Sequence, residues 1–114
     1  MVDASFAVHS GLGPGLLESV YEACLAYEIS KRGLAAARQV ALPIVYNGIK
    51  LDGGLRLDLL VSSCVIVEIK AIESMAAIHT AQMLTYLKLS GLRLGLLINF
   101  NVRLIKDGIK RIAL

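Results

Sequence analysis

Three charged residues inside otherwise apolar strands are the strongest chemical feature of the sequence. Glu68 and Lys70 stand two positions apart in a run of valine and isoleucine, and Asp58 interrupts a run of leucine and valine. Because side chains alternate along a strand, Glu68 and Lys70 project to the same face. An ionised carboxylate in an apolar interior is costly unless it pairs, shifts its pKa or binds a cation. These residues are therefore either an internal salt-bridge cluster, with Arg56 as a further partner, or an acidic site that holds a metal.

The loop between the two strands decides whether the carboxylates meet. A three-residue loop over residues 62–64 places Asp58 opposite Glu68, whereas a two-residue loop places Val67 there instead. Like charges directly opposite each other destabilise a sheet. The sequence leaves both registers open.

A predicted helix supplies two further acids. Glu18 and Glu22 are four residues apart and share an azimuth with Leu25 and Ile29, which favours an inward-facing stripe. The alternative is that the two acids only interact with the positive N-terminal end of the helix dipole, an effect of a few tenths to about 1 kcal/mol.

The charges of these groups do not cancel. The three carboxylates of Asp58, Glu68 and Glu18 face the single amine of Lys70, which leaves a net charge of about −2. A half-buried site of that charge favours a divalent cation, and Mg²⁺ typically takes a few carboxylates together with substrate oxygens. The salt-bridge interpretation neutralises one carboxylate with Lys70 and must recruit Arg56 as well.

A second predicted helix carries Gln82 and Tyr86, again four residues apart, with His79 on nearly the same face. Their polar groups either offer hydrogen bonds to a part-buried site or simply cover an ordinary helix face. His79 alone is a weaker signal, and His9 is weaker again.

The elements that carry these residues follow the order α-β-β-β-α-β-β, preceded by a short helical stretch over residues 2–8. Proline tolerance in a first turn and Gly33 at the end favour a helix over residues 14–31. Asn47-Gly48 is a strong hairpin signal. The sequence predicts one α/β domain over residues 1–114, with helices packed against one sheet. The other predicted elements are strands over 40–46, 49–61 with a break at 52–54, 65–70, 93–100 and 109–114, and a helix over 75–90.

Composition excludes several classes of protein. Hydrophobic residues make up 56% and charged residues 18% of the chain, the opposite of a disordered composition. The longest charge-free runs, residues 4–17 and 74–87, are shorter than the ~20 apolar residues of a membrane-spanning helix. The N-terminus also lacks the basic start of a signal peptide. We therefore expect no membrane association.

Charge and cysteine content bear on partners and location. The net charge of +3 permits a polyanionic partner such as nucleic acid without requiring one. Cys24 and Cys64 form no CxxC motif, and we expect two buried thiols in a reducing, cytoplasmic setting. A domain this small cannot hide so much apolar surface, which predicts self-association as a homodimer.

Two motifs resemble a known family. Residues 15–21, GLLESVY, fit the GxxExxY signature, and Leu57-Asp58 followed by EIK at residues 68–70 fits a D…ExK core. In this order and in these contexts, the chain resembles the GxxExxY-type proteins of the PD-(D/E)xK nuclease-like superfamily from residue 8 to residue 100. Residues 82–86 also look like the QxxxY element of the exonuclease branch. Leu57 stands where the motif's name has proline, which is commonly missing.

The resemblance implies a restriction-endonuclease-like core, a mixed sheet flanked by helices. It implies that Asp58, Glu68 and the backbone carbonyl of Ile69 are metal ligands, and that Glu18 completes the site. Lys70 would orient or activate the attacking water, or stabilise the charge on the phosphate.

The remaining site residues implied by the resemblance are supporting ones. Gln82 and Tyr86 would hold their helix against the site or touch the substrate, and Glu22 would support it from the first long helix.

The expected function is hydrolysis of a phosphodiester in nucleic acid, DNA or RNA, with Mg²⁺ as cofactor and Mn²⁺ as its substitute. The alternative is a nucleic-acid-binding or assembly module that keeps the fold without catalysis. The short chain and the weak net charge favour that alternative. The intact Asp58, Glu68 and Lys70 favour the enzyme.

Overall fold

A computed structural model describes residues 1–114 and shows helices and strands in alternation. The strands are β1 (Ala36–Ala41), β2 (Ile44–Tyr46), β3 (Ile49–Leu51), β4 (Arg56–Val61), β5 (Val65–Lys70), β6 (Leu94–Asn99) and β7 (Ile109–Ala113). The helices are α1 (Val2–Leu12), α2 (Glu18–Lys31) and α3 (Ala77–Ser90), and a 3₁₀ turn (Ile105–Asp107) precedes β7.

Five strands form the main sheet in the order β1-β4-β5-β6-β7. Strands β5 and β6 are parallel, and every other neighbouring pair is antiparallel. Helix α3 connects β5 to β6, because parallel neighbours need a long crossover. The predicted fold class, a mixed sheet flanked by helices, is therefore confirmed.

Both faces of the central strands are buried, which explains their continuous apolar sequence. Helices α1 and α2 cover one face, where Leu25 and Ile29 pack with Leu59 and Val67. Helix α3 covers the other face through a smaller cluster that includes Met83.

The region before β4 is more divided than the sequence predicts. The strand predicted over residues 40–46 breaks at Leu42 and Pro43, since proline has no N–H to donate and restricts the residue before it. The part after the break, β2, pairs only with β3 and forms a separate two-stranded hairpin. The Asn47-Gly48 turn that joins them is where the sequence predicts it, with φ of 51° and 75°.

The first two helices also differ from prediction at their ends. Helix α1 continues to Leu12 instead of ending near residue 8, and α2 begins at Glu18 instead of Pro14. Gly13 and Gly15, which lie between the two helices, have φ of 73° and 95°, and these values are incompatible with a continuous helix.

The cysteines are less buried than predicted. Cys64 is exposed because it lies in the tight turn between β4 and β5, and Cys24 is half-buried on α2. They do not form a disulfide. None of the three helices combines the length and the apolar character that crossing a membrane requires.

The close approach of β6 and β7 generates a test of the fold. A Cβ on Gly108 would lie 2.1 Å from the backbone oxygen of Asn99. The backbone N–H of Asn99 donates to the Gly108 carbonyl at 2.8 Å, so the two residues are held close together. Gly108→Ala must therefore displace backbone, and we expect it to lower the free energy of unfolding in urea by about 1–3 kcal/mol.

Gly11 provides the matched control. It lies within α1, and an added Cβ would meet no atom within 4 Å. Gly11→Ala should raise stability by up to ~1 kcal/mol, because alanine is the better helix former. A Gly108→Ala variant as stable as the parent would contradict the described packing.

Candidate functional site

The register of β4 and β5 brings Asp58 and Glu68 to the same level of the sheet. The last backbone pair, Leu59 with Val67, is set by a three-residue loop, so the structure contains the first of the two registers that the sequence allows. One step further along the same register, Asp58 stands opposite Glu68.

At that level the carboxylates replace the backbone pairing. The N–H of Asp58 donates to Glu68 Oε2 at 2.7 Å, and the N–H of Ile69 donates to Asp58 Oδ2 at 2.8 Å. No buried polar side-chain atom in the protein lacks a hydrogen-bond partner. The second oxygen of each carboxylate accepts no hydrogen bond from the protein and therefore reaches solvent.

Neither carboxylate has a cationic partner. The ion pairs within 4.0 Å in this protein are Arg32 with Glu28 and Arg38 with Glu22. The salt-bridge interpretation of Asp58 and Glu68 is therefore wrong. Arg56, its proposed extra partner, donates instead to the neighbouring Leu55 carbonyl at 3.2 Å.

Burial, with neighbouring negative charge, raises the pKa of both carboxyl groups. Burial raises the pKa of Glu68 to about 8, with the charge of Asp58 as the next cause. Burial also raises the pKa of Asp58, and the carboxylates of Glu22 and Glu18 add to that effect. Lys70 lowers both pKa values without reversing the direction. A cation bound between the carboxylates would oppose both shifts, because it favours their ionised forms.

Helix α2 brings more acid to the same place. A cavity of about 210 Å³ is lined by Glu18, Glu22, Asp58 and Ile69 together with Ser19 and Gln39. Glu18 Oε2 accepts from the N–H of Ala71 at 3.3 Å, just beyond the end of β5. The inward stripe on α2 thus reaches the site, with Glu22 buried and Glu18 at the exposed rim.

Glu22 is held rather than free. Arg38 donates to its Oε2 from Nε at 3.1 Å and from Nη2 at 3.0 Å, and Gln39 donates to its Oε1 at 2.6 Å. Gln39 has φ of 51°, a left-handed conformation that costs a non-glycine residue about 1–3 kcal/mol. Sequence reasoning missed both Arg38 and Gln39, because they precede the strand predicted over residues 40–46 and carry no local signal of a contact with a helix.

Lys70 and Asn99 meet where β5 and β6 end. The two residues are in register, the Lys70 amine makes no hydrogen bond or ion pair, and its carbonyl accepts from Phe100 N–H at 2.9 Å. Asn99 is buried and binds Ile72 through both amide atoms, at 2.9 and 3.1 Å. Asn99 therefore fixes the loop after Lys70. A polar residue at the end of an apolar strand was the available signal for it.

Tyr86 approaches the carboxylates from α3. It is buried, and Gln82 donates to its hydroxyl at 3.1 Å. Burial raises the pKa of Tyr86, and the charge of Glu68 is the next cause.

The two histidines make local hydrogen bonds instead. His79 accepts from Ala76 N–H at the start of α3, and His9 binds the Val102 carbonyl.

The carboxylates do not form a closed metal cage. No three His, Cys, Asp or Glu side chains in the protein converge tightly enough to hold an ion by themselves. Asp58 connects the two halves, since it exchanges hydrogen bonds with the Glu68 strand and shares the cavity with Glu18. The expectation that Asp58, Glu68 and Glu18 form one compact three-carboxylate pocket is therefore not met.

Comparison with known proteins identifies a family for this chain. A family model described as the PD-(D/E)XK nuclease superfamily matches residues 1–112, which include every residue of the candidate site. Searches of curated proteins and of solved structures give no match.

The raised pKa of Glu68 predicts a pH-dependent stability. The unfolded chain releases this proton near pH 4.5 and the folded protein near pH 8, so the folded state binds more protons in between. The free energy of unfolding should fall as pH rises through that window, by up to about 1.4 kcal/mol per pH unit. Asp58 acts in the same direction. Glu68→Gln, which is neutral at every pH, should flatten most of this slope in denaturation measured from pH 5 to 8.

Glu28→Gln is the control, because Glu28 forms a surface ion pair with Arg32. It should keep the parent slope. Parallel slopes for the parent and Glu68→Gln would show that Glu68 carries no such proton.

Proposed function

The chain belongs to the PD-(D/E)XK nuclease superfamily, and from that premise we propose that it hydrolyses phosphodiester bonds in DNA or RNA with the help of a divalent metal. One observation carries the proposal. Asp58 and Glu68 lie side by side without a cation, each with an oxygen open to solvent.

The donor set suits Mg²⁺, with Mn²⁺ as its substitute. Asp58, Glu68 and the backbone carbonyl of Ile69 would hold the ion, and Glu18 would complete the set from the rim. Hard oxygen ligands in small number are what Mg²⁺ takes when substrate oxygens supply the rest. When bound, the ion supplies Lewis-acid stabilisation of the charge that develops on the phosphate.

Lys70 is the residue we propose to act on water. Lys70 is half-buried and its charge acts on both carboxyl groups, while its amine has no hydrogen-bond or ion-pair partner in the protein. The amine is therefore free to hold the attacking water and to donate to a phosphoryl oxygen. Asn99 keeps its strand end in place.

The remaining residues are proposed to support the site. Tyr86, fixed by Gln82, would face the carboxylates from α3 or touch the substrate. Glu22, fixed by Arg38 and Gln39, would position α2.

A second candidate is the catalytically silent nucleic-acid-binding or assembly module. The observation in its favour is that both carboxylates accept backbone N–H groups, which gives them a use without metal. Calorimetric titration with Mn²⁺ separates the candidates, because absence of binding at millimolar concentration would leave only the silent module.

The nuclease proposal predicts loss of cleavage in two variants. Asp58→Asn removes a ligand charge and Lys70→Ala removes the amine, and each should lower Mn²⁺-dependent cleavage of labelled DNA and RNA by at least about 100-fold. Asp52→Asn and Lys50→Ala, exposed and outside the site, should keep parent rates. Cleavage that survives in both site variants, with circular dichroism unchanged, would identify a contaminating nuclease.

We also propose that the protein self-associates, as a dimer. Four side chains of the β2–β3 hairpin are 48–65% exposed, namely Val45, Tyr46, Ile49 and Leu51. An isolated two-stranded hairpin is marginally stable in water. A second copy packed on it would cover this surface. A cytoplasmic location is part of the proposal, supported by the two free thiols.

Sedimentation velocity tests self-association. The parent should be dimeric at micromolar concentration, and Tyr46→Ser with Ile49→Ser should shift it toward monomer because the exposed apolar area is lost. Val2→Ser, at an exposed apolar position on α1, should leave the dimer intact. A monomeric parent would defeat the proposal.

A further inference from the structure

The carboxylate site cannot by itself attract a nucleic acid. Asp58, Glu68 and Glu18 repel phosphates, and Lys70 is the one cation among them. Affinity for nucleic acid comes mainly from basic side chains that neutralise backbone phosphates. A substrate strand therefore needs cations elsewhere along the same edge of the sheet.

The largest cavity of the protein supplies such cations. It has a volume of about 390 Å³ and lies between α1 and the segment that follows β6. Arg103 and Lys106 line it together with His9, and no carboxylate lines it. Neither Arg103 nor Lys106 has a carboxylate within 4.0 Å. Two unpaired cations in a concave surface form a site for an anion.

The other wall of the cavity suits close approach of a phosphate. Gly13 and Pro14 form it, and a Cβ on Gly13 would meet no atom within 4 Å. His9 Nε2 donates to the Val102 carbonyl at 2.7 Å, which ties α1 to the segment that carries Arg103. The basic side chains are thus presented from a fixed frame.

A short chain of contacts connects this cavity to the carboxylates. The Tyr21 hydroxyl donates to the Gly13 carbonyl at 2.6 Å, and the Tyr21 ring stacks on Phe100 at 4.6 Å. Phe100 N–H in turn donates to the Lys70 carbonyl. Gly13 and Glu18 are five positions apart in the chain, so their Cα atoms lie within about 18 Å of each other.

We propose that this cavity is a binding site for the sugar–phosphate backbone of the substrate strand. Arg103 and Lys106 would bind phosphates of the same strand that lie outside the carboxylate site. Such contacts position a strand without reading its sequence. The inference rests on the proposed function for the identity of the partner as nucleic acid.

Binding without cleavage tests this site. Fluorescence anisotropy of labelled 20-nucleotide DNA and RNA, in EDTA, excludes metal-dependent cutting. The double variant Arg103→Ala/Lys106→Ala should bind at least tenfold more weakly than the parent. It should also reduce the slope of log K against log salt by about 1.4 for single strands and 1.8 for duplexes.

The matched control is Lys88→Ala/Arg93→Ala. These two exposed cations lie at the end of α3 and just before β6. They are therefore near the start of β6, whereas the cavity follows its end. The control removes the same net charge and should keep parent affinity within twofold. Equal losses in both double variants would reduce the effect to net charge and overturn the proposal, as would a parent that binds neither nucleic acid.

The outcome is distinguishable from that of the nuclease proposal. Selective loss of binding in Arg103→Ala/Lys106→Ala, in a protein that cleaves nothing with Mn²⁺, would support this site and defeat catalysis. Metal-dependent cleavage with unchanged binding in the same variant would do the reverse.

Discussion

The arrangement of the whole site depends on two like charges placed opposite each other on neighbouring strands. Asp58 and Glu68 stand where antiparallel β4 and β5 would continue to pair, and repulsion alone would force them apart. Each carboxylate instead accepts a backbone N–H of the opposite strand. The strands therefore stay joined while their backbone ladder ends, and one oxygen of each carboxylate turns away from the protein.

Two basic side chains near this pair reduce the negative charge of the site but do not cancel it. Arg38 neutralises Glu22, so that fourth acid adds no net charge, and Lys70 offsets one of the other three. When every carboxyl group is counted as ionised, the net charge of about −2 deduced from sequence is therefore unchanged by the fourth acid. Burial is the first cause of the raised pKa of Glu68, and the charge of Asp58 is the next.

Sequence reasoning reached the carboxylates because charge inside an apolar strand is a local signal, and helix periodicity likewise placed Glu22 and Glu18. It could not choose the β4–β5 register, which depends on the conformation of three turn residues. It also missed the contact between Arg38 and Glu22, which are 16 residues apart on different elements. A positive φ at Gln39 has no sequence signature, because glutamine rarely adopts it and tertiary contacts impose it.

The position of α2 links acid and basic surfaces. The segment that leads into α2, residues 13–18, contributes Gly13 to the basic cavity and Glu18 to the acidic one. Tyr21 holds this segment in place, because its hydroxyl donates to the Gly13 carbonyl and its ring stacks on Phe100. In open α/β sheets, ligands bind beyond the carboxyl ends of the parallel strands. Here that edge is formed by β5 and β6, whose ends carry Lys70 and Asn99. One loop and the start of one helix therefore shape both the acidic and the basic surface beyond these strand ends.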